Sequence, residues 1–200
     1  MTWPQITSWA FLLLGALMIS ALLQQNTRPA PAEHEVAAVR LAPAIPQPAV
    51  LTTPSPPVGL IVPVAGVGVL QLADTWGASR SEGRTHEGID IMAPAGTRVL
   101  AAANGRIVKF FDSERGGITI YQFDSADRFV FYYAHLQARA PGLSEGAVVR
   151  QGDLLGFVGM TDNAPVPHLH FEIQRLTDER RWWVAEAVNP YPYLRDGRAP

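Results

Sequence analysis

The chain reads as an all-β protein: an antiparallel sandwich or barrel-like domain, preceded by a hydrophobic helix and a proline-rich linker. Three observations predict this class. From about Val64 onward, short apolar runs are punctuated by glycine and show no sustained helical periodicity. The 17 prolines and 17 glycines disfavour a helical bundle. The length of 200 residues suits one domain with an appendage.

The elements come in this order. Residues 1–5 are a short flank without Lys or Arg. Ile6 to Leu23 is a run of eighteen residues without a charge, close to the roughly 20 a helix needs to cross hydrocarbon. It predicts a transmembrane anchor, with a cleaved secretion signal as the alternative; either one exports the downstream chain. Residues 24–63 hold nine of the 17 prolines, with alanines between them. Proline fixes φ and donates to no ladder, so the stretch predicts an extended linker. In residues 64–200, strands are expected at Arg98–Ala103, Gly105–Phe111, Ile118–Phe123, Arg128–His135, Ala147–Arg150, Leu154–Val158 and His168–Gln174. Two segments echo each other, Gly96–Val108 and Gly146–Val158, each with a valine strand, a glycine-marked turn and a second strand. A carrier domain of similar hairpin style needs a lysine at a hairpin tip; the one lysine here, Lys109, lies in the apolar run RIVKFF.

Composition removes further classes. The net charge is -2, which gives no positive field for nucleic acid. With 0 cysteines, a metal must be held by imidazole and carboxylate.

Of the five histidines, four fall in three motif-like contexts: RTHEGID (His86), YYAHL (His135) and PHLHFEI (His168, His170). In an extended chain His168, His170 and Glu172 share one face, while Leu169, Phe171 and Ile173 share the other. His86 and Asp90 likewise share a face of an extended segment. Two imidazoles and one carboxylate are a recurring ligand set for catalytic zinc. Spacing leaves open which histidine of the HLH pair binds.

The ordered set GRTHEGIDIMAPAGTRVLAAANGRIV, YYAHL, GMTDNAPVPHLHFEI and NPYPYL resembles the LytM/lysostaphin-type peptidoglycan zinc metallopeptidases over roughly Pro63 to Leu194. The resemblance implies that His86, Asp90 and His170 bind one zinc ion and that His135 and His168 are the non-ligand catalytic histidines. It also implies a peptidoglycan peptide as substrate and a place in the cell envelope, with the domain in the periplasm behind its anchor or secreted there. A companion regulatory or recruiting protein is unspecified. Zinc can activate water and polarise a carbonyl, and a neutral imidazole can move a proton.

Other candidates are weaker. Arg84 is placed to meet a substrate carboxylate. Glu172 is placed to orient a ligand imidazole. Strand alternation groups Tyr133 with His135 as a substrate contact, although aromatics in such a run are mostly core. Trp182 and Trp183 read either as a core edge or as a sugar platform. Three function classes compete: a zinc endopeptidase, a non-catalytic activator of another wall hydrolase, and a plain wall-binding module.

Overall fold

The computed structural model describes residues 59–200. The expected apolar anchor and most of the proline-rich linker lie outside the described residues. The linker's last residues belong to the domain: Leu60 is buried, the Ile61 amide donates to the Ala102 carbonyl, and the Pro63 carbonyl accepts from Leu100. Packed chain therefore starts at least as early as Gly59, ahead of Val64.

The described region is antiparallel throughout. Its strands are β1 (Ile89–Met92), β2 (Arg98–Leu100), β3 (Gly105–Ser113), β4 (Gly117–Asp124), β5 (Phe129–Arg139), β6 (Val148–Val149), β7 (Leu154–Val158), β8 (His168–Leu176) and β9 (Ala185–Val188). One short helix, α1 (Tyr191–Asp196), comes after them, with Pro192 in its first turn and Gly197 ending it in the left-handed region. All nine strands join one hydrogen-bonded sheet, so a sandwich of two separate sheets is replaced by one sheet that bends. Its main path runs β1-β8-β5-β4-β3-β6, with β9 on β8, β7 on β5 and β2 on β7. All seven expected strands are present; β9 and α1 are additional, and β1 gives a strand to the extended HEGID segment.

The bend lies in β5. Phe129, Phe131 and Tyr133 face the core by strict alternation, but so does Leu136. The phase slips at His135, which has φ 59 and interrupts the register with β4; a second irregularity, in the pairing with β7, follows between Leu136 and Ala138. Such a bulge re-aims a side chain. Before the slip β5 pairs with β4 and β8; beyond it, Leu136–Arg139 pair with β7.

The echoed segments pair with each other. Arg98 of the first is opposite Phe157 of the second, and Gly105 of the first is opposite Val149 of the second. The first strand of each echo thus lies against the second strand of the other, in an approximate two-fold exchange. Glycine permits the close approach at Gly105, where a Cβ would stand 1.9 Å from the Phe123 carbonyl oxygen.

The core collects Ile89, Ile91, Val99, Ile107, Ile120, Phe131, Tyr133, Leu155, Leu169, Phe171 and Ile173 on one face of the sheet. The opposite face of β1, β8 and β5 carries Asp90, His168, His170, Glu172 and Tyr132, all lining one groove.

Candidate active site

Strand register assembles the first part of the site. In β8 the alternation is as the sequence indicates: Leu169, Phe171 and Ile173 are buried in the core, and His168, His170 and Glu172 line the groove. Asp90 of β1 is the direct cross-strand partner of His170. His86 precedes β1 and arrives by another route. Residues 77–86 form a tight loop held by Gly77 N to His86 O (2.9 Å), His86 N to Ala78 O (2.9 Å) and Arg80 N to Arg84 O (2.9 Å).

Three donor atoms converge. His86 Nε2 lies 2.9 Å from His170 Nδ1 and 3.2 Å from Asp90 Oδ1, and His170 Nδ1 lies 3.1 Å from the same oxygen. The other ring nitrogens are occupied: His86 Nδ1–H donates to the Thr75 carbonyl at 2.7 Å, and His170 Nε2–H donates to Glu172 Oε1 at 2.7 Å. Those acceptors fix the tautomers and leave His86 Nε2 and His170 Nδ1 as free lone pairs. Lone pairs from two imidazoles and a carboxylate that meet at one point repel unless a cation or a shared proton lies between them. Burial lowers the affinity of His170 for a proton, yet contacts with Asp90 and Glu172 outweigh it and push its pKa up to about 9, so a metal ion held here takes the place of the Nδ1 proton. Burial would raise the Asp90 carboxyl, but hydrogen bonds from His170, His86 and Arg80 hold it far below the usual carboxylate range. Tetrahedral zinc, with bonds of ~2.0–2.1 Å, separates its donors by about 3.4 Å. The observed 2.9–3.2 Å spacing is near enough that small ring shifts would accommodate the ion. His86, Asp90 and His170 fit a zinc ion.

Two further imidazoles share the groove. His135 Nδ1–H donates to the Thr161 carbonyl at 3.1 Å, and His168 Nδ1–H donates to the Val166 carbonyl at 2.8 Å. Both acceptors belong to the loop TDNAPVP, which thereby orients both rings and turns each Nε2 to the groove, that of His168 lying 3.6 Å from Asp90 Oδ1. The ring centroids are 4.9 Å apart. Burial first, and the neighbouring His168 second, bring the pKa of His135 down to about 4, so it is neutral at pH 7 and able to accept a proton.

The groove encloses about 760 Å³. Arg84 lines it, with a guanidinium nitrogen 3.1 Å from Ser81 Oγ and a buried Nε that lacks a hydrogen-bond partner. Tyr133 does not reach it. The Tyr133 ring is fully buried, and its hydroxyl donates to Gln122 Oε1 at 2.7 Å while accepting from Ala102 N at 3.0 Å. The phase slip at His135 is the reason: it turns the histidine to the face of Tyr132, and Tyr132 lines the groove instead.

Sequence reasoning missed Thr75 and Arg80. The Thr75 hydroxyl accepts from Asp90 N at 3.0 Å while its carbonyl holds His86, and Arg80 hydrogen-bonds the second carboxylate oxygen of Asp90. Nothing in the local pattern of either residue marks it.

Two substitutions probe this support. Glu172→Gln retains size but removes the charge opposite His170 Nε2–H, and zinc affinity is expected to fall about 10–100-fold, as read by competition with a chelating dye. At Gly88 a Cβ would stand 2.6 Å from the Phe171 carbonyl oxygen and 3.0 Å from His170 Cε1. Gly88→Ala is therefore expected to cost about 1–3 kcal/mol in a denaturant melt and to weaken zinc binding with it.

The chain is 32% identical over 130 residues to an L-Ala--D-Glu endopeptidase of Bacillus subtilis, covering 60% of this chain and 38% of that protein. It is 42% identical over 90 residues to the DD-carboxypeptidase/endopeptidase Mpg of Neisseria meningitidis, covering 44% of this chain and 20% of that one. The matched region thus spans well under half of either relative. Among solved structures, the lysostaphin catalytic domain of Staphylococcus simulans superposes with a TM-score of 0.53 at 26% identity, over 64% of this chain and 95% of that one. Csd3 of Helicobacter pylori gives 0.53 at 26% identity, over 68% of this chain and 33% of that one. The sequence model of one family matches residues 84–190, more than half of the chain and every histidine of the groove, and by that match the chain belongs to peptidase family M23.

Proposed function

We propose that the chain is an exported zinc endopeptidase that hydrolyses peptide bonds in the stems or cross-links of peptidoglycan. The observation that carries this reading is the meeting of the His86, Asp90 and His170 lone pairs in a groove that also holds two oriented, non-ligand imidazoles. The names of the relatives support the substrate class.

When bound, zinc supplies Lewis acidity toward water or a carbonyl. The chain's own residues do the rest. One free Nε2 of the His135 and His168 pair accepts the proton of the attacking water, and the other imidazole hydrogen-bonds the oxyanion that forms at the scissile carbonyl. Arg84 offers its guanidinium to a substrate carboxylate along the groove wall. The TDNAPVP loop holds both catalytic rings through its carbonyls. Residues 6–23 tether the protein to the membrane, with the domain on the periplasmic side; cleavage of that segment as a signal would free it into the same compartment.

The complete donor set favours catalysis over an activator role, because an activator has no need of an intact metal triad beside two free imidazoles. Digestion of defined muropeptides by the full chain, followed by mass spectrometry, is expected to show peptide-bond cleavage that a chelator abolishes and added zinc restores. Zinc binding without cleavage of any wall peptide would replace the enzyme with the activator.

A further inference from the structure

An aromatic strip leads out of the groove. Tyr132, which lines it, packs against the His170 ring at 6.0 Å between centroids and against Tyr121, its cross-strand partner on β4, at 4.6 Å. Trp182, from the turn between β8 and β9, covers Tyr121 at 4.6 Å and reaches Phe111 of β3 at 5.8 Å. Trp183 stands edge-on to Trp182 at 5.2 Å and 76°, and is 59% exposed; Phe111 is 43% exposed. The adjacent tryptophans therefore play different parts: Trp182 anchors the turn on the open face of the sheet, and Trp183 turns outward.

The charges around the outer end of the strip cancel locally. Arg181, 5.6 Å from the centre of the Trp183 ring, pairs with Glu179 at 3.4 Å, and Arg139 pairs with Asp112 beside Phe111. A largely exposed ring that has Arg181 over one face and self-neutralised ion pairs around it suits, on what it leaves open, a ligand that is neutral, flat on one face and rich in hydroxyl and amide groups. A pyranose of an N-acetylamino sugar has that character: its axial C–H groups pack on an aromatic face while its polar rim hydrogen-bonds charged side chains. A lipid headgroup or polyanion would call for uncompensated positive charge.

We propose that Trp183, held by Trp182, which rests in turn on Tyr121 and Phe111, is a stacking site for an amino-sugar ring of the glycan strand whose attached peptide occupies the groove. This rests on the peptidoglycan reading above. The ring-to-ring steps from His170 to Trp183 are 6.0, 4.6, 4.6 and 5.2 Å, a path that at most about six residues of extended peptide at ~3.3–3.6 Å each would span.

The test titrates the full chain calorimetrically with a peptide-free β-1,4-linked N-acetylglucosamine oligomer and measures cleavage of a sugar-free stem peptide in parallel. Wild type is expected to bind the oligomer saturably, Trp183→Ala to weaken binding about tenfold, and Trp183→Phe, which keeps a ring, to stay near wild type. Both variants are expected to cleave the sugar-free peptide at the wild-type rate. Absence of saturable binding by wild type, equal binding by Trp183→Ala, or an equal loss on the sugar-free peptide would each overturn the glycan site. Failure of wild type to cleave any stem peptide would overturn the peptidase reading and leave the oligomer titration to decide the platform.

Discussion

His170→Ala is expected to remove zinc binding and peptide hydrolysis together. His170 supplies one of three converging donors, and Asp90 Oδ1 and His86 Nε2 both lie within 3.2 Å of it or its neighbour. Loss of a supporting contact outside the ligand set typically costs 10–100-fold in affinity, so loss of a ligand should exceed that. A fall in kcat/KM of at least about 10³-fold, or ~4 kcal/mol of transition-state stabilisation, is the expected size. The fold should survive, because His170 faces the groove and its apolar neighbours Leu169 and Phe171 hold β8 in the core. Zinc content by elemental analysis, circular dichroism and muropeptide digestion read the three quantities separately. Full hydrolysis by a folded His170→Ala protein would sink the ligand assignment.

His135→Ala and His168→Ala are expected to split those quantities. Neither ring belongs to the converging triad, so each variant should retain near-stoichiometric zinc while kcat falls by roughly 10²–10⁴-fold. The pH dependence adds a check on His135. Its pKa is held down to about 4, so the neutral form persists as pH falls from 7 and is lost only as pH passes through about 4. The wild-type acid limb should therefore owe nothing to His135 above about pH 5, and His135→Ala should leave its position there unchanged. Normal kcat in either variant would remove that histidine from catalysis, and loss of zinc would move it into the metal site.

How much of this is legible in the sequence depends on how local each signal is. The period-two alternation of HLHFEI gives the correct faces for His168, His170 and Glu172 because β8 is regular over that stretch. The same rule misplaces Tyr133, because it assumes an unbroken strand and β5 slips phase at a non-glycine residue with φ 59. Composition carries no mark of that slip. No helix is expected over NPYPYL, yet α1 forms there with Pro192 in its first turn, where its missing N–H costs nothing. Arg80 and Thr75 are invisible for a different reason. Their contacts to Asp90 exist only once the loop of residues 77–86 has folded back, and an arginine ten positions ahead of an aspartate is commonplace in any surface sequence. Trp182 and Trp183 read equally well as core edge or surface, and the structure puts neither in the core: Trp182 is half-buried on Tyr121 and Trp183 is exposed.

The interleaving of the two echoed hairpins governs how the chain can be made. Gln151 bonds to Asn104 and to Ala102 across 47 and 49 positions of chain, and β2, bridged on one edge by residues 63–65, finds its other partner in β7. A nascent chain that has emerged only as far as Ser113 holds one complete echo whose edges toward β4, β6 and β7 have nothing to pair with, and exposed edges of that kind invite association with other chains. Closure waits for β7, so folding is dominated by non-local contacts and is expected to be slow compared with that of a helical domain of similar size. An interval in which the polypeptide is long, apolar and unpaired suits the proposed export, in which a chain is threaded through a translocation pore before it compacts.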